Sequence, residues 1–210
     1  MKFNQLKTLA NTVSHLIRGW VVSACLLMSL AGPASAAEVV HAQVEQDGDI
    51  YSTQFEIRLN APAEDVRRVL TDVDQLVALM PDVKEYMVKR QRNANKADVQ
   101  LVMRTCILSL CKEFTQKEHF DIGKDGQLKG RFIPVGSDFA TGQSAYKVIE
   151  DNNGTRIQFN ASMNPKFWVP FGKIVLSYTL KNYAEKLAIA IDQHVSMQAK
   201  STLDKNKKPA

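Results

Sequence analysis

The stretch Phe55–Val83, "FEIRLNAPAEDVRRVLTDVDQLVALMPDV", passes from the period of a strand to the period of a helix within a few residues. Apolar and polar side chains alternate up to its fifth residue, which predicts a half-buried strand over residues 50–59. The inward residues of that strand would be Tyr51, Thr53, Phe55, Ile57 and Leu59.

Two short helices are predicted next in the same stretch. Asn60 can cap the first helix and Pro62 can begin it, because a proline in the first turn gives up no hydrogen bond there. Helical spacing then continues to Pro81, which ends the second helix. The apolar positions are Val66, Val69 and Leu70 in the first helix and Leu76, Val77 and Met80 in the second.

After Pro81 the pattern is that of consecutive strands joined by turns such as "GKDG" and "EDNNGT". Six strands are predicted over residues 83–92, 97–106, 111–122, 127–133, 143–150 and 155–163. A long helix over residues 171–198 follows, and its apolar stripe begins at Phe171, which we assign to the core. It would be about 42 Å long at about 1.5 Å per residue.

These elements predict an α+β fold. A curved antiparallel sheet of about seven strands would wrap around the long C-terminal helix, with two short helices after the first strand. Because the short helices close only one end of such a sheet, we also expect an internal cavity.

This order of elements resembles the START-like superfamily (SRPBCC, polyketide cyclase/dehydrase and lipid transport proteins). The shared features are the Ala-Pro helix start at Ala61, the Leu-Thr-Asp helix end at Leu70, Pro81 and the long last helix. Within the superfamily the chain is most similar to the coenzyme Q-binding branch, over roughly residues 39–198. The resemblance implies a helix-grip fold and a cavity for a lipid, quinone, polyketide or hormone.

Residues 1–36 have the pattern of a cleavable signal peptide, which predicts a periplasmic protein. Lys2, Lys7 and Arg18 precede an uncharged apolar run, and "GPASAA" supplies small residues for cleavage after Ala36. The alternative is that "VSAC" is a lipoprotein box that attaches a lipid to Cys25. We reject it, because Arg18 leaves too short an apolar segment before that cysteine.

The basic composition resides mainly in the two ends of the chain. Removing residues 1–36 takes away three cations and no acids, so the formal charge falls from +5 to +2. Residues 199–210 are predicted to form a disordered, lysine-rich tail. Nucleic-acid binding is therefore not indicated. Residues 37–198 suit a single ligand-binding domain, which we expect to be a monomer.

Cys106 and Cys111 are the two cysteines that remain after export. They would face opposite sides of one continuous strand, but they can meet if "ILSL" between them is a hairpin loop. We favour a disulfide in an exported protein. Two unpaired thiols are the alternative, and a metal site lacks the neighbouring histidines it would need.

The strand over residues 111–122 carries polar residues on its inward side. Counting alternately, the inward set is Phe114, Gln116, Glu118, Phe120 and Ile122. Because a buried carboxylate without a partner is costly, Gln116 and Glu118 are candidates for contacts to a ligand headgroup. Arg104 or Arg131 would supply a counter-charge if the register is shifted by one residue. Alternatively, a bulge turns the polar pair outward, or the two residues pair within the core.

We predict a ligand site inside the sheet and a mouth where the last strand meets the last helix. Trp168 beside Lys166 would suit a transient contact with a membrane surface, whereas packing under a loop is the alternative. The predicted mouth consists of Phe167 and Trp168, and the predicted ligand site consists of Gln116, Glu118, Phe114, Phe120, Met103, Tyr146, Phe159 and Tyr178.

Other polar residues are ambiguous. Asp72 and Asp74 could rim the cavity or cap a helix, His194 could approach the cavity or be structural, and His119 faces outward. The chain has no hydrolase triad order, phosphate loop, zinc motif or nucleotide fingerprint, so we assign no catalytic residue, metal or cofactor.

Three functions fit these observations. The first is a carrier that encloses a lipid or isoprenoid quinone, since each methylene kept from water is worth about 0.8 kcal/mol. The second is a cyclase-type enzyme in which Glu118, His194 or Asp72 moves protons. The third is a protein-interaction module of the cell envelope.

Overall fold

The computed structural model describes residues 37–91, 95–107, 110–123, 125–152, 154–169 and 171–206. The predicted signal peptide and Cys25 lie outside these residues. Across the described part, no helix carries an apolar stretch of the length that crossing a bilayer requires.

The described part of the chain forms one sheet and three helices. In chain order the elements are β1 (Glu38–Asp47), β2 (Ile50–Leu59), α1 (Ala63–Thr71), α2 (Val73–Leu79), β3 (Val83–Arg90), β4 (Lys96–Ile107), β5 (Leu110–Ile122), β6 (Leu128–Phe132), β7 (Phe139–Asp151), β8 (Gly154–Pro165) and α3 (Gly172–Asn206).

All neighbouring strands of the sheet are antiparallel, in the order β1-β2-β8-β7-β6-β5-β4-β3. Strands β3 to β8 follow one another as hairpins, and β8 then pairs with β2, from Tyr51 opposite Met163 to Leu59 opposite Thr155. Helices α1 and α2 connect β2 to β3 at the far edge of the sheet. The sheet curves around α3, so one face is concave and encloses the core.

The sheet has eight strands, where we expected about seven. The additional strand is β1, which precedes the first predicted strand and pairs with β2. Val44 is the one fully buried residue of β1, so the strand lacks the regular alternation that predicts burial on one face. Edge strands commonly carry weak patterns of this kind, because their packing partners are few.

The two short helices lie where the sequence predicts them. Their buried residues are Val66, Val69 and Leu70 in α1 and Val73, Leu76 and Val77 in α2. Asp72 caps α2 by accepting a hydrogen bond from the backbone N–H of Gln75, and Arg90 binds both Asp72 and Asp74. The two aspartates therefore have structural partners at the helix junction.

The last helix is longer than predicted. It ends at Asn206, so residues 199–206, which we assigned to a tail, are helical, and residues 207–210 lie outside the described part. The fully buried part of its stripe packs against β1 and β2 and consists of Leu180, Ala184, Leu187, Ala188, Ile191 and Val195.

The assignment of Phe171 to the core is wrong. The helix begins at Gly172, and Phe171 precedes it with a φ of 51° and 80% of its surface exposed. The carbonyl oxygen of Phe171 accepts hydrogen bonds from the N–H groups of Ile174 and Val175, so its backbone caps the helix while its side chain points to solvent. The sequence periodicity continues through Phe171, but the sheet does not cover that side of the helix start.

Candidate functional site

The inward residues of β4 and β5 become less buried toward the hairpin that joins these two strands. On β4, Val99 and Leu101 are fully buried, whereas Met103, two residues nearer the hairpin, is half-buried. On β5, Glu118 is buried, and Gln116 and Phe114 become more accessible in the same direction. We call these inward residues the concave groove: Leu101, Met103, Phe114, Gln116 and Glu118, in which Leu101 is opposite Gln116 and Met103 is opposite Phe114.

Glu118 lies at the inner end of this groove and is only 2% exposed. Ser144 on β7 donates a hydrogen bond to one carboxyl oxygen, and the Gln116 side chain donates to the other at 2.9 Å. Gly130 on β6 makes room for this contact, because a Cβ at that position would overlap Glu118 Oε1. Glu118, Gln116 and Ser144 thus form a polar cluster on an otherwise apolar face.

Burial changes the ionisation of Glu118. Loss of hydration raises the pKa of its carboxyl group to about 7, although the hydrogen bonds from Ser144 and Gln116 act in the opposite direction. Near neutral pH the group therefore exists in both states. It can accept a hydrogen bond as a carboxylate or donate one as an acid.

A second polar pair lies deeper, between the sheet and α3. The hydroxyl groups of Tyr146 on β7 and Tyr183 on α3 share a hydrogen bond, and burial raises the pKa of both, that of Tyr183 to about 12. Both hydroxyls therefore stay protonated. The ring of Tyr146 lies 4.6 Å from that of Phe159, which stacks on Phe55 at 4.7 Å.

Thr53 adds an unsatisfied polar atom to the same face. Its side chain is 4% exposed, and its hydroxyl has no hydrogen-bond partner among the described residues. Thr53 is opposite Ala161, which is opposite Ser144, so two strand spacings, roughly 10 Å, separate Thr53 from the Glu118 cluster. A buried hydroxyl that lacks a partner is destabilising unless something binds it.

The open end of the groove is lined by aromatic rings. Phe114 lies 5.7 Å from Phe139 and 6.2 Å from Phe167, and Phe139 also contacts Phe132. Lys112 Nζ lies 4.3 Å from the centre of the Phe167 ring. Phe167, predicted at the mouth, is therefore half-buried at the accessible end of the groove.

The predicted disulfide is confirmed. Cys106 and Cys111 are directly opposite each other across β4 and β5, and their sulfur atoms are bonded at 2.07 Å. The bond closes the hairpin beside Lys112, at the open end of the groove.

Most of the predicted ligand-site residues lie on the concave face of the sheet, whereas Tyr178 does not. Glu118, Phe120 and Tyr146 are buried, and Gln116, Phe114, Met103 and Phe159 are half-buried. Tyr178 is 63% exposed on the opposite side of α3 from Tyr183, since five helical residues turn the chain by about 140°. Tyr178 is therefore not part of the concave groove. Trp168 is 82% exposed and is not packed under a loop.

Neither arginine that we considered as a counter-charge for Glu118 binds it; Ser144 and Gln116 do. The predicted alternation of β5 holds, so no bulge turns Glu118 outward. His119 lies on the other face and bonds Asp98 at 2.6 Å, and His194 contacts Gln75 and Gln198. Within the described ranges, no group of three or more His, Cys, Asp or Glu residues is arranged to hold a metal ion.

Sequence reasoning missed Ser144, Gly130 and Tyr183 as parts of the site. Ser144 and Gly130 are opposite each other in adjacent strands, but the pairing of β6 with β7 is not encoded in any local pattern. Tyr183 belongs to the apolar stripe of α3 and gives no separate signal.

Two cavities of the described part are lined by other residues than those of the concave groove. One, of about 540 Å³, lies between α1 and the turn before β6 and includes Arg67, Arg68 and Gly126. The other, of about 690 Å³, spreads over the outer face of β2, β8, β7, β6 and β5 and is edged by Gln54, Arg131 and Asn160. Glu118 lines neither cavity, but the second is also lined by Thr53, Gly130 and Ser144.

No protein-family model matches the chain, and no curated protein sequence matches it. Solved structures do. A STAR-related lipid transfer protein from Xanthomonas axonopodis is 16% identical, with a TM-score of 0.51 over 74% of this chain and 98% of that chain. A START superfamily protein from Mycobacterium smegmatis is 17% identical, with a TM-score of 0.53 over 71% of this chain and 98% of that chain.

The aromatase/cyclase Zhui from Streptomyces sp. R1128 is 13% identical, with a TM-score of 0.51 over 73% of this chain and 96% of that chain. At these identities the likeness concerns the fold alone. The fold is that of START-like proteins, an antiparallel sheet curved around a C-terminal helix. Proteins that share this fold include a STAR-related lipid transfer protein and aromatase/cyclases.

Proposed function

We propose that the protein binds or carries a hydrophobic small molecule, a lipid or an isoprenoid quinone, in the concave groove. The polar end of the ligand would lie at Glu118, Gln116 and Ser144, and its apolar part would extend past Phe114 toward Phe167. Phe114 and Glu118 are four residues apart on one strand, a span of about 14 Å. We further propose that the protein acts in the periplasm as an exported monomer, as residues 1–36 predict.

The observation that supports this function best is the gradient of exposure toward a buried polar cluster. A START-like core could be filled with apolar side chains throughout, yet this one keeps a buried carboxyl group beside Gln116 and Phe114, which are half-buried on the same strand. The unpaired hydroxyl of Thr53 on the same face gives a second polar atom that a ligand could satisfy.

The test is to purify the exported protein, extract it with organic solvent and identify the released molecules by mass spectrometry. Uptake is then measured with two probes, a short-chain ubiquinone and phosphatidylglycerol. We expect one probe to bind, and Glu118→Ala to weaken it by about tenfold, because a hydrogen bond to a charged group is worth roughly 1.5–3 kcal/mol.

Glu113→Ala is the matched control, since Glu113 lies on the same strand but is exposed and paired with Lys84. A protein that yields no extracted lipid or quinone and takes up neither probe would contradict the carrier function.

A cyclase-type enzyme is the second candidate, and the pKa of Glu118, about 7, is the observation that favours it. A general acid or base works best when its pKa is near the working pH. Turnover of a polyketide substrate that is lost in Glu118→Gln while binding persists would decide for the enzyme. Binding without turnover would decide for the carrier.

A further inference from the structure

Four large apolar side chains at the start of α3 point to solvent. Trp168, Phe171, Ile174 and Tyr178 are 82%, 80%, 74% and 63% exposed. Ile174 and Tyr178 are four residues apart and lie on one side of the helix, and Trp168 and Phe171 precede them in the connection from β8. We call these four residues the exposed aromatic face.

The packing of the domain does not require this face. The buried stripe of α3 begins at Leu180 and lies on another side of the helix, where it contacts β1 and β2. Phe171 has a positive φ of 51°, a conformation that bulky side chains rarely adopt. Contiguous exposed apolar residues of this size usually mark a surface that binds something.

The charged residues within this segment of the sequence are all lysines up to Glu185. Lys166, Lys173 and Lys181 lie in this segment, and no aspartate or glutamate occurs between Lys166 and Glu185. Among the described residues, the Lys173 ammonium group makes no ion pair or hydrogen bond, whereas Lys181 lies 4.0 Å from Glu185 and Lys166 bonds the carbonyl oxygens of Pro134 and Ser137. Tryptophan and tyrosine rings flanked by lysines are typical of surfaces that enter the headgroup region of a lipid bilayer.

A second copy of the chain fits this surface poorly. In a two-fold dimer the same patch meets itself, so Lys166 and Lys173 of both copies would be brought together, and the next acidic residue along the chain, Glu185, already pairs with Lys181. Anionic lipid headgroups supply the opposite charge and also accept the apolar rings. Charge complementarity therefore favours a lipid surface as the partner.

We propose that the exposed aromatic face docks the protein on an anionic membrane. The neighbouring residue in the chain, Phe167, is half-buried at the open end of the concave groove, so docking would bring that opening to the lipid. Use of the contact for ligand exchange rests on the proposed function, whereas docking itself does not.

The test uses protein purified after export of the full-length chain and its partition onto vesicles. Vesicles of phosphatidylcholine alone are compared with vesicles that also contain phosphatidylglycerol. We expect binding to the anionic vesicles only, a fall with added salt, and a loss of about tenfold or more in the Trp168→Ser/Ile174→Ser variant, because affinity follows the apolar area inserted.

Two control variants isolate the face. Met87→Ser removes an apolar residue that is 66% exposed on β3 and should bind like the wild type. Lys173→Glu/Lys181→Glu should weaken binding, whereas Lys129→Glu/Lys147→Glu, which makes the same charge change on exposed strand positions, should weaken it less.

Equal binding by wild type and Trp168→Ser/Ile174→Ser would overturn the proposal, as would equal binding to both kinds of vesicle. A dimer that this double variant dissociates, with no vesicle binding, would assign the face to a second copy instead. The molecules extracted from each variant are identified in parallel. Wild-type protein that binds vesicles but carries no ligand would contradict the proposed function and leave docking intact.

Discussion

At the scale of single residues, Glu118 makes the stability of the fold depend on pH. Its folded-state pKa of about 7 lies above the ordinary value of 4.5 for a glutamate side chain. The folded state therefore binds the proton more tightly than the unfolded chain. The stabilising contribution of this proton is fully present below about pH 4.5 and is lost as pH rises through about 7.

We predict that Glu118→Gln removes the loss of stability that the wild type shows as pH rises. Between about pH 5 and about pH 8, the free energy of unfolding of the wild type should fall by about 3 kcal/mol relative to Glu118→Gln, which cannot ionise. Urea denaturation at both pH values measures the difference. Glu56 and Asp98 have lowered pKa values, so their contributions to the free energy of unfolding change with pH in the opposite direction. These contributions are the same in both proteins and cancel when the two are compared at one pH.

Glu150→Gln on β7 is the control, because Glu150 is exposed. It should follow the wild type across the pH range. A constant difference between the wild type and Glu118→Gln would show that folding does not change the pKa of this carboxyl group.

Gly130 is the second residue whose role can be tested alone. We predict that Gly130→Ala destabilises the fold by a few kcal/mol, since its Cβ would displace the Glu118 carboxyl group from Ser144. Glu118→Ala removes the obstacle, so the effect of Gly130→Ala should shrink when both changes are made. A double-mutant cycle in urea measures this coupling, and purely additive effects would contradict the contact.

At the scale of elements, the β4–β5 hairpin and the connection before α3 meet at the open end of the groove. The disulfide holds the hairpin closed, Lys112 lies over the Phe167 ring, and Lys166 ties the connection to the loop after β6. These contacts join three separate segments around the opening.

We predict that Cys106→Ser/Cys111→Ser lowers the free energy of unfolding by about 2 kcal/mol, because a short cross-linked loop removes little entropy from the unfolded chain. Reductant should have the same effect on the wild type and none on the double variant. Urea denaturation with and without dithiothreitol measures both. A wild type that is insensitive to full reduction would show that the hairpin is held by its ladder and not by the bond.

Helix α3 shows how one element serves two environments. From Leu180 onward its stripe is buried, whereas its first turns present apolar residues to solvent. An apolar stripe in a sequence indicates that a surface is covered, but it does not say by what. For this reason Phe171 and Tyr178 were assigned to the interior although they lie on the exposed aromatic face.

At the scale of the whole molecule, the curvature of the sheet brings distant segments together. Thr53 near the start of the domain, Glu118 in its middle and Tyr183 near its end face the same interior. The concave groove is therefore a product of strand order, and its polar atoms come from β2, β5, β7 and α3.

The local periods of the sequence determined the order of strands and helices, the α+β class and the inward side of β5, because these depend on neighbouring residues and on burial of one face. They also placed Cys106 opposite Cys111 once a hairpin was assumed. Edge strand β1 was not predicted, because a strand with one buried residue has no apolar period in its sequence.

Tertiary structure alone decided the partners of Glu118, the space left by Gly130 and the exposure of Trp168 and Phe171. Hydrogen bonding between β5 and β7 residues depends on how many strands separate them in the sheet, and exposure depends on where the sheet stops covering the helix. Both are long-range consequences of chain closure, which local sequence patterns do not contain.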